Sequence, residues 1–254
     1  MNLFKIAAVA LIIATPSFAQ ELTFVNAGSE EGMLRQVLND IGTKVEHTFV
    51  QANTPVAASE YFTNKDVVTI WSSEWPGNPE IKSPEITSDN IVALLATETV
   101  MCSREYNSVD DMSGQTVKIA TWGSEPVAKF LTNFGKEHNI NFVVVPYEGS
   151  GATTRGYLGK DADTVFTISA KEEALAEDST TKCFAYSAAG DLSFQFVDAI
   201  VTVNSNADTV TTLRSAVKEL SSSQEWHDKF SGTTTIVDGD LSAKYQEAVS
   251  NFSK

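Results

Sequence analysis

Apolar positions in this chain fall into two rhythms. Short apolar runs of strand length are separated by longer stretches in which apolar residues recur at helical spacing. The pattern predicts strands over Leu22–Val25, Val45–Val50 and Val67–Trp71, with helices over Gly32–Gly42 and Val56–Phe62 between them. Strand and helix in alternation call for parallel strands joined by crossover helices. The order then repeats. Strands over Val117–Thr121, Phe142–Val145 and Thr164–Ile168 enclose a helix over Glu125–Glu137 and a short one over Ala152–Leu158. Extended segments at Ala93–Ser103 and Lys182–Ser187 flank this second unit, followed by a strand over Ala199–Val203. Helices over Ala207–Leu220, Gln224–Phe230 and Leu241–Phe252 close the chain, and the proline-containing stretch Glu74–Pro84 reads as a long loop. Pattern alone fits either two α/β lobes or one continuous doubly wound sheet.

Residues 1–19 break the rhythm. Lys5, the apolar run Ile6–Ala14 and the small-x-small ending Ser17-Phe18-Ala19 make a cleaved secretory signal peptide, which implies export to the periplasm. No later stretch approaches the roughly 18 consecutive apolar residues of a transmembrane helix, so the mature chain is expected not to be embedded in a membrane. Acidic residues outnumber basic ones 33 to 18, for a formal net charge of −15, and loss of Lys5 takes it one unit further. Such a surface repels polyanions, and no basic cluster with interleaved aromatics offsets it, so nucleic acid is excluded as a partner. An anionic ligand would have to be held by local donors. The two cysteines, Cys102 and Cys183, stand in separate extended segments. In an exported protein they read as a disulfide, with two free buried thiols as the alternative.

One segment carries most of the functional information. Val143–Phe166 passes from a strand through Tyr147-Glu148-Gly149-Ser150-Gly151 into a short helix and on to the next strand. A helix opening behind such a loop offers unpartnered N–H groups and the positive end of its dipole, which suits a carboxylate. Val145-Pro146-Tyr147, Gly149-Ser150-Gly151, Leu158-Gly159 and the strand start at Asp163–Phe166 resemble, in order and spacing, the corresponding segment of the substrate-binding receptors of tripartite tricarboxylate transporters. The resemblance implies a periplasmic-binding-protein type II fold. Residues 21–101 and 188–254 would form lobe 1, and 102–187 lobe 2, each a mainly parallel sheet flanked by helices, with hinge strands near 95–104 and 182–187.

In open α/β sheets, ligands sit beyond the carboxyl ends of the strands, so the candidate site residues follow each strand. After the first strand these are Asn26, Gly28 and Ser29. Glu30 and Glu31, where the receptors carry small residues, are expected to cap the first helical turn and face solvent, or else to place one carboxylate in the cleft for an amine or hydroxyl. After the third strand, Trp71, Ser72 and Ser73 offer an apolar wall with donors, or Trp71 packs in the core. In the second unit, Thr121, Trp122, Gly123 and Ser124 precede a helix with Pro126 in its first turn; Ser124 reads as its N-cap, leaving the N–H groups of Gly123 and Ser124 to meet an anion. The motif itself supplies Ser150, Gly151, Ala152, Thr153 and Thr154 as donors. Arg155 and Thr167 are secondary candidates.

The three histidines join no metal-binding pattern, and neither a nucleophile elbow, a P-loop nor a dinucleotide fingerprint is present, so the sequence argues against an enzyme and calls for no cofactor or metal. The expectation is a monomeric, exported solute-binding protein. It would capture a small di- or tricarboxylate between two lobes and deliver it to a membrane permease. The alternatives are a type II binding protein for an amino acid, amine or oxyanion, or a ligand-sensing docking protein without a transport role.

Overall fold

A computed structural model of the chain describes residues 21–28, 30, 32–63, 65–123, 125–187 and 195–252. The expected signal peptide and the candidates Ser29, Glu31 and Ser124 lie outside the described residues.

Two sheets carry the fold. The first contains β1 (Leu22–Asn26), β2 (His47–Gln51), β3 (Val67–Ser72), β4 (Ile91–Thr97), β10 (Phe196–Val203) and β11 (Thr233–Ile236), in the order β11-β4-β10-β3-β1-β2. Strands β1, β2 and β3 pair in parallel, while β10 runs antiparallel between β3 and β4. The second contains β5 (Thr99–Ser103), β6 (Thr116–Trp122), β7 (Asn141–Tyr147), β8 (Thr164–Ile168) and β9 (Lys182–Tyr186), in the order β7-β6-β8-β5-β9. The chain passes from one sheet to the other at Glu98 and returns between Tyr186 and Phe196. The extended segment expected over Ala93–Ser103 is therefore two strands in different sheets, broken at Glu98. Its N–H donates to the carbonyl of Gly232 and its carbonyl accepts from Ser169 N–H, both at 2.9 Å.

Both sheets are covered on two faces. Every residue of β3 and β4 is buried, as a near-continuous apolar run requires when helices pack on each side. In the first sheet, α1 (Met33–Gly42), α6 (Ala207–Ser221) and α7 (Gln224–Lys229) cover one face through Val37, Leu38, Leu213 and Trp226. The other face packs Trp71, Ile86 and Leu94 against Leu241 and Tyr245 of α8 (Leu241–Asn251), with Ala58 of α2 (Pro55–Ser59) alongside. In the second sheet, α3 (Glu125–Glu137) supplies Val127, Leu131 and Phe134 to one face. On the other, Tyr157 of α4 (Gly149–Leu158) and Leu175 of α5 (Glu172–Leu175) pack on Val100 and Val165.

Cys102 stands directly opposite Cys183 in the β5–β9 register, and the two form a disulfide. Two aromatics tie the sheets together: Phe196, at the start of β10, and Phe252, just beyond α8, both pack in the core of the second sheet.

Candidate functional site

Three adjoining cavities lie between the sheets, of about 780, 340 and 190 Å³, and Glu74 lines all of them. Their walls come from the carboxyl ends of β3 and β6, the opening of α4, the start of α1 and the long connection from β3 to β4.

On the side of the second sheet, β7 ends at Tyr147 and the chain turns into α4. Gly149 makes that turn with φ of 77°, a backbone region in which any side chain is strained, and nothing lies within 4 Å of where its Cβ would stand. The helix begins at Gly149 rather than Ala152, so Gly149, Ser150 and Gly151 form its first turn. Glu148 at the N-cap position makes no side-chain cap bond. The first-turn N–H groups have no intrahelical acceptors, and Gly149 and Ser150 line the smallest of the three cavities. Thr153 and Thr154, expected as ligand donors, are buried and give their hydroxyl hydrogens to the carbonyls of Gly149 and Ser150 at 3.0 and 2.9 Å; they hold the turn that the ligand would meet. Arg155 is exposed on the helix surface and does not line these cavities.

Beside this turn, Trp122 stacks on Phe166 with ring centroids 5.5 Å apart and meets Phe196 at 4.7 Å. Gly123 lines the cleft as expected, but its N–H is spent on the carbonyl of Tyr147 at 2.7 Å, so it does not await an anion. A Cβ at Gly123 would press on Pro146 at 3.3 Å, which explains the small residue where two strand ends run side by side. Thr121 and Thr167 are buried and line none of the three cavities.

The side of the first sheet differs from expectation. Asn26 is buried and bonds to Gly28 and to Gln51 at 3.0 Å, fixing the first loop as structure. Helix α1 begins at Met33, so Glu30 precedes its first turn, and Glu30 is exposed; Met33 and Leu34 reach the cleft instead. Trp71 is fully buried, with Nε1 donating to Ser83 Oγ at 3.2 Å and its ring edge-on to Trp75 at 4.9 Å. Its role is to seat Trp75, which lines the cleft in its place. Ser73 is likewise structural, joined to the backbone of Val197 through both its N–H and its hydroxyl. Ser72 does line the smallest cavity.

Asp198, which the sequence reading did not single out, also faces this cavity. It interrupts the apolar run of β10 and is only 7% exposed. Burial pushes its carboxyl up to about 7; the nearby Glu74 adds to the rise and a hydrogen bond with Ser72 opposes it. Tyr245, from α8, donates its hydroxyl to the Ser72 carbonyl at 3.2 Å and has its own pKa raised by burial and then by Asp198. The sequence signal was available: one carboxylate inside a strand otherwise made of Phe, Val, Ala, Ile and Thr.

Solved structures of periplasmic solute-binding proteins share this fold of two lobes with a cleft at the strand ends. MatC from Rhodopseudomonas palustris, solved with bound malate, matches at TM-score 0.69 and 11% identity over 92% of this chain and 98% of its own. A TctC solute-binding protein from Polaromonas matches at 0.66 and 12%, over 93% and 96%. An arginine-specific periplasmic binding protein from Salmonella typhimurium matches at 0.50 and 14%, over 83% and 97%. No family model matches the sequence. No curated protein matches it either. The resemblance read from the Val145–Phe166 motif is thus met in the fold, at identities where sequence alone is nearly silent.

Proposed function

We propose that the protein is an exported solute-binding protein that captures a small carboxylate-bearing ligand between its lobes and delivers it to a membrane permease. The observation that carries this reading is the uncapped first turn of α4, whose Gly149 and Ser150 open into a cavity walled on its far side by the other sheet. N–H groups at a helix start bind a carboxylate without any charged side chain, which suits an acidic protein. The lobes would rotate about the hinge strands near 95–104 and 182–187. Closure buries the ligand and presents a joined surface that a permease can recognise. Solved structures of similar fold with bound malate and adipate support the ligand class. The reading is capture without chemistry, by a monomer in the periplasm.

Thermal unfolding against mono-, di- and tricarboxylates, malate and adipate among them, tests it. A true ligand at about 100 times its dissociation constant adds near 2.7 kcal/mol to stability, and scattering should show the particle contract. Ser150→Pro removes one first-turn N–H where proline is tolerated in a helix, and should weaken carboxylate binding by about tenfold or more. If no compound bearing a carboxylate shifts the transition, the reading fails.

A further inference from the structure

We propose that the ligand carries a cationic nitrogen in addition to its carboxylate, held between Asp198, Glu74 and the rings of Trp75, Trp122 and Phe196. The inference rests on the reading of this cleft as the ligand site and concerns the end of the ligand remote from α4.

Charge comes first. Among the described residues, the charged side chains lining the smallest cavity are Asp198 and Glu74, both acids. Across all three cavities, Glu80, Glu125 and Glu148 join them, and among the described residues Lys129 alone opposes. A ligand with carboxylates at both ends would bring its second charge against two acids, one of them buried, and like charges repel. A protonated or alkylated nitrogen instead finds two counter-charges there.

The cavity walls give a second and independent argument. Trp75 reaches the cavity from the connection after β3, Trp122 from the end of β6 and Phe196 from the start of β10. Three ring systems from three separate elements, two of them indoles, line the same cavity as the acid pair. Aromatic faces attract a cation most strongly when water is excluded, whereas a carboxylate gains nothing from them.

A carboxylate buried in a strand core beside another acid disfavours the free protein, and such costs are retained where they serve a ligand. The Ser72 hydroxyl meets Asp198, and the Tyr245 hydroxyl goes to the Ser72 carbonyl, so no fixed positive charge on these neighbours neutralises the acid. An incoming cation would do so.

The rival arrangement keeps Asp198 protonated so that it donates to a second ligand carboxylate. The groups facing Asp198 are Ser72 and Glu74 at the end of β3 and Tyr245 from α8. With those neighbours the two arrangements have opposite pH dependence. Cation binding strengthens as Asp198 ionises, and acid-to-carboxylate donation weakens.

Titration calorimetry at pH 5.5, 7 and 8 on chain-length-matched probes decides. The set is 4-aminobutyrate against succinate, 5-aminovalerate against glutarate, and butylamine as an amine lacking the carboxylate. We expect an amino acid of the set to bind about tenfold or more tighter than its matched diacid, with affinity rising with pH. Asp198→Asn should remove that preference, and Glu74→Gln should reduce it, which keeps the test open if the first variant does not fold. A diacid preferred at every pH, with affinity falling as pH rises, overturns the inference and leaves the carboxylate reading standing. Butylamine binding as tightly as the amino acids supports the cation pocket and overturns the carboxylate reading. Silence from every probe overturns both.

Discussion

The two walls of the cleft are built by opposite means. The wall from the second sheet adds Trp122 and Gly123, from the end of β6, to one contiguous segment, β7 running through Gly149 into α4, and that segment presents backbone N–H groups. The wall from the first sheet gathers Met33 and Leu34 from α1, Ser72, Glu74 and Trp75 from beyond β3, and Asp198 from β10, and it presents side chains. A backbone device needs only a local turn, so a short motif encodes it. A side-chain device assembled from three stretches up to more than a hundred residues apart leaves no compact motif. The lobes differ in how they are held as well: a six-stranded sheet in one, and a smaller five-stranded sheet with a disulfide across its edge pair in the other.

The largest expected effect sharpens that last contrast. Replacing Cys102 and Cys183 with serine frees a loop spanning a sequence separation of 81, which on the chain-entropy account costs about 4 kcal/mol. The loss falls on the second lobe alone. Calorimetry should therefore resolve a lower-melting transition for that lobe and leave the other near its original temperature. A single transition moved as a whole would show instead that Phe196 and Phe252 couple the two lobes into one unfolding unit.

What the sequence made legible follows the same division. The βαβαβ order, the paired cysteines and the Val143–Phe166 motif all rest on local periodicity or spacing, and each appears in the structure. The break at Glu98 reads through as one extended segment: Thr97-Glu98-Thr99 interrupts the apolar run only briefly, and a sheet change leaves no trace in period. Strand β11 is a run of three threonines and an isoleucine, without alternation to mark it. Among the site residues, Trp71 and Trp75 compete for the same role on pattern alone. Only packing, with Trp71 beneath and held by Ser83, assigns the cleft to Trp75. Gly123, Thr153 and Thr154 have the right chemistry at the right strand ends, yet their donors close local backbone bonds.

The second effect sets one lobe against the other in pH. The Asp198 carboxyl is held up to about 7, so both folded and unfolded chains are protonated below the ordinary carboxylate range. As pH climbs from about 4 to about 7, the unfolded chain releases this proton while the folded chain keeps it, and stability falls before levelling off. Across that window the group's contribution is about 4 kcal/mol. Subtracting urea unfolding curves of Asp198→Asn from those of the natural chain at pH 4, 5.5 and 7.5 should expose the slope. In the second lobe the sign is reversed. Hydrogen bonds from Thr180 and then from Arg104 hold the Asp178 carboxyl below the usual range. Its stabilisation is present above the ordinary carboxylate range and lost as pH falls towards the lowered value, so Asp178→Asn should flatten the acid limb only.

The smallest effect on stability bears most directly on the backbone wall. Gly149→Ala adds a methyl group into open space, so the only penalty is that of a side chain at φ of 77°, about 1 kcal/mol. The fold easily bears that cost. Binding should suffer more, because the strain is relieved by re-aiming the first turn of α4, and N–H groups that miss a carboxylate oxygen by a fraction of an ångström lose most of their worth. A fall of about tenfold in affinity for carboxylate-bearing ligands, beside a stability loss of about 1 kcal/mol, would place recognition in the turn itself. The preference attributed to Asp198 and Glu74 should survive, since those residues stand on the opposite wall. If Gly149→Ala and Asp198→Asn instead weaken the same ligand by amounts that fail to add, the walls do not act separately, and closure between them is where the coupling lies.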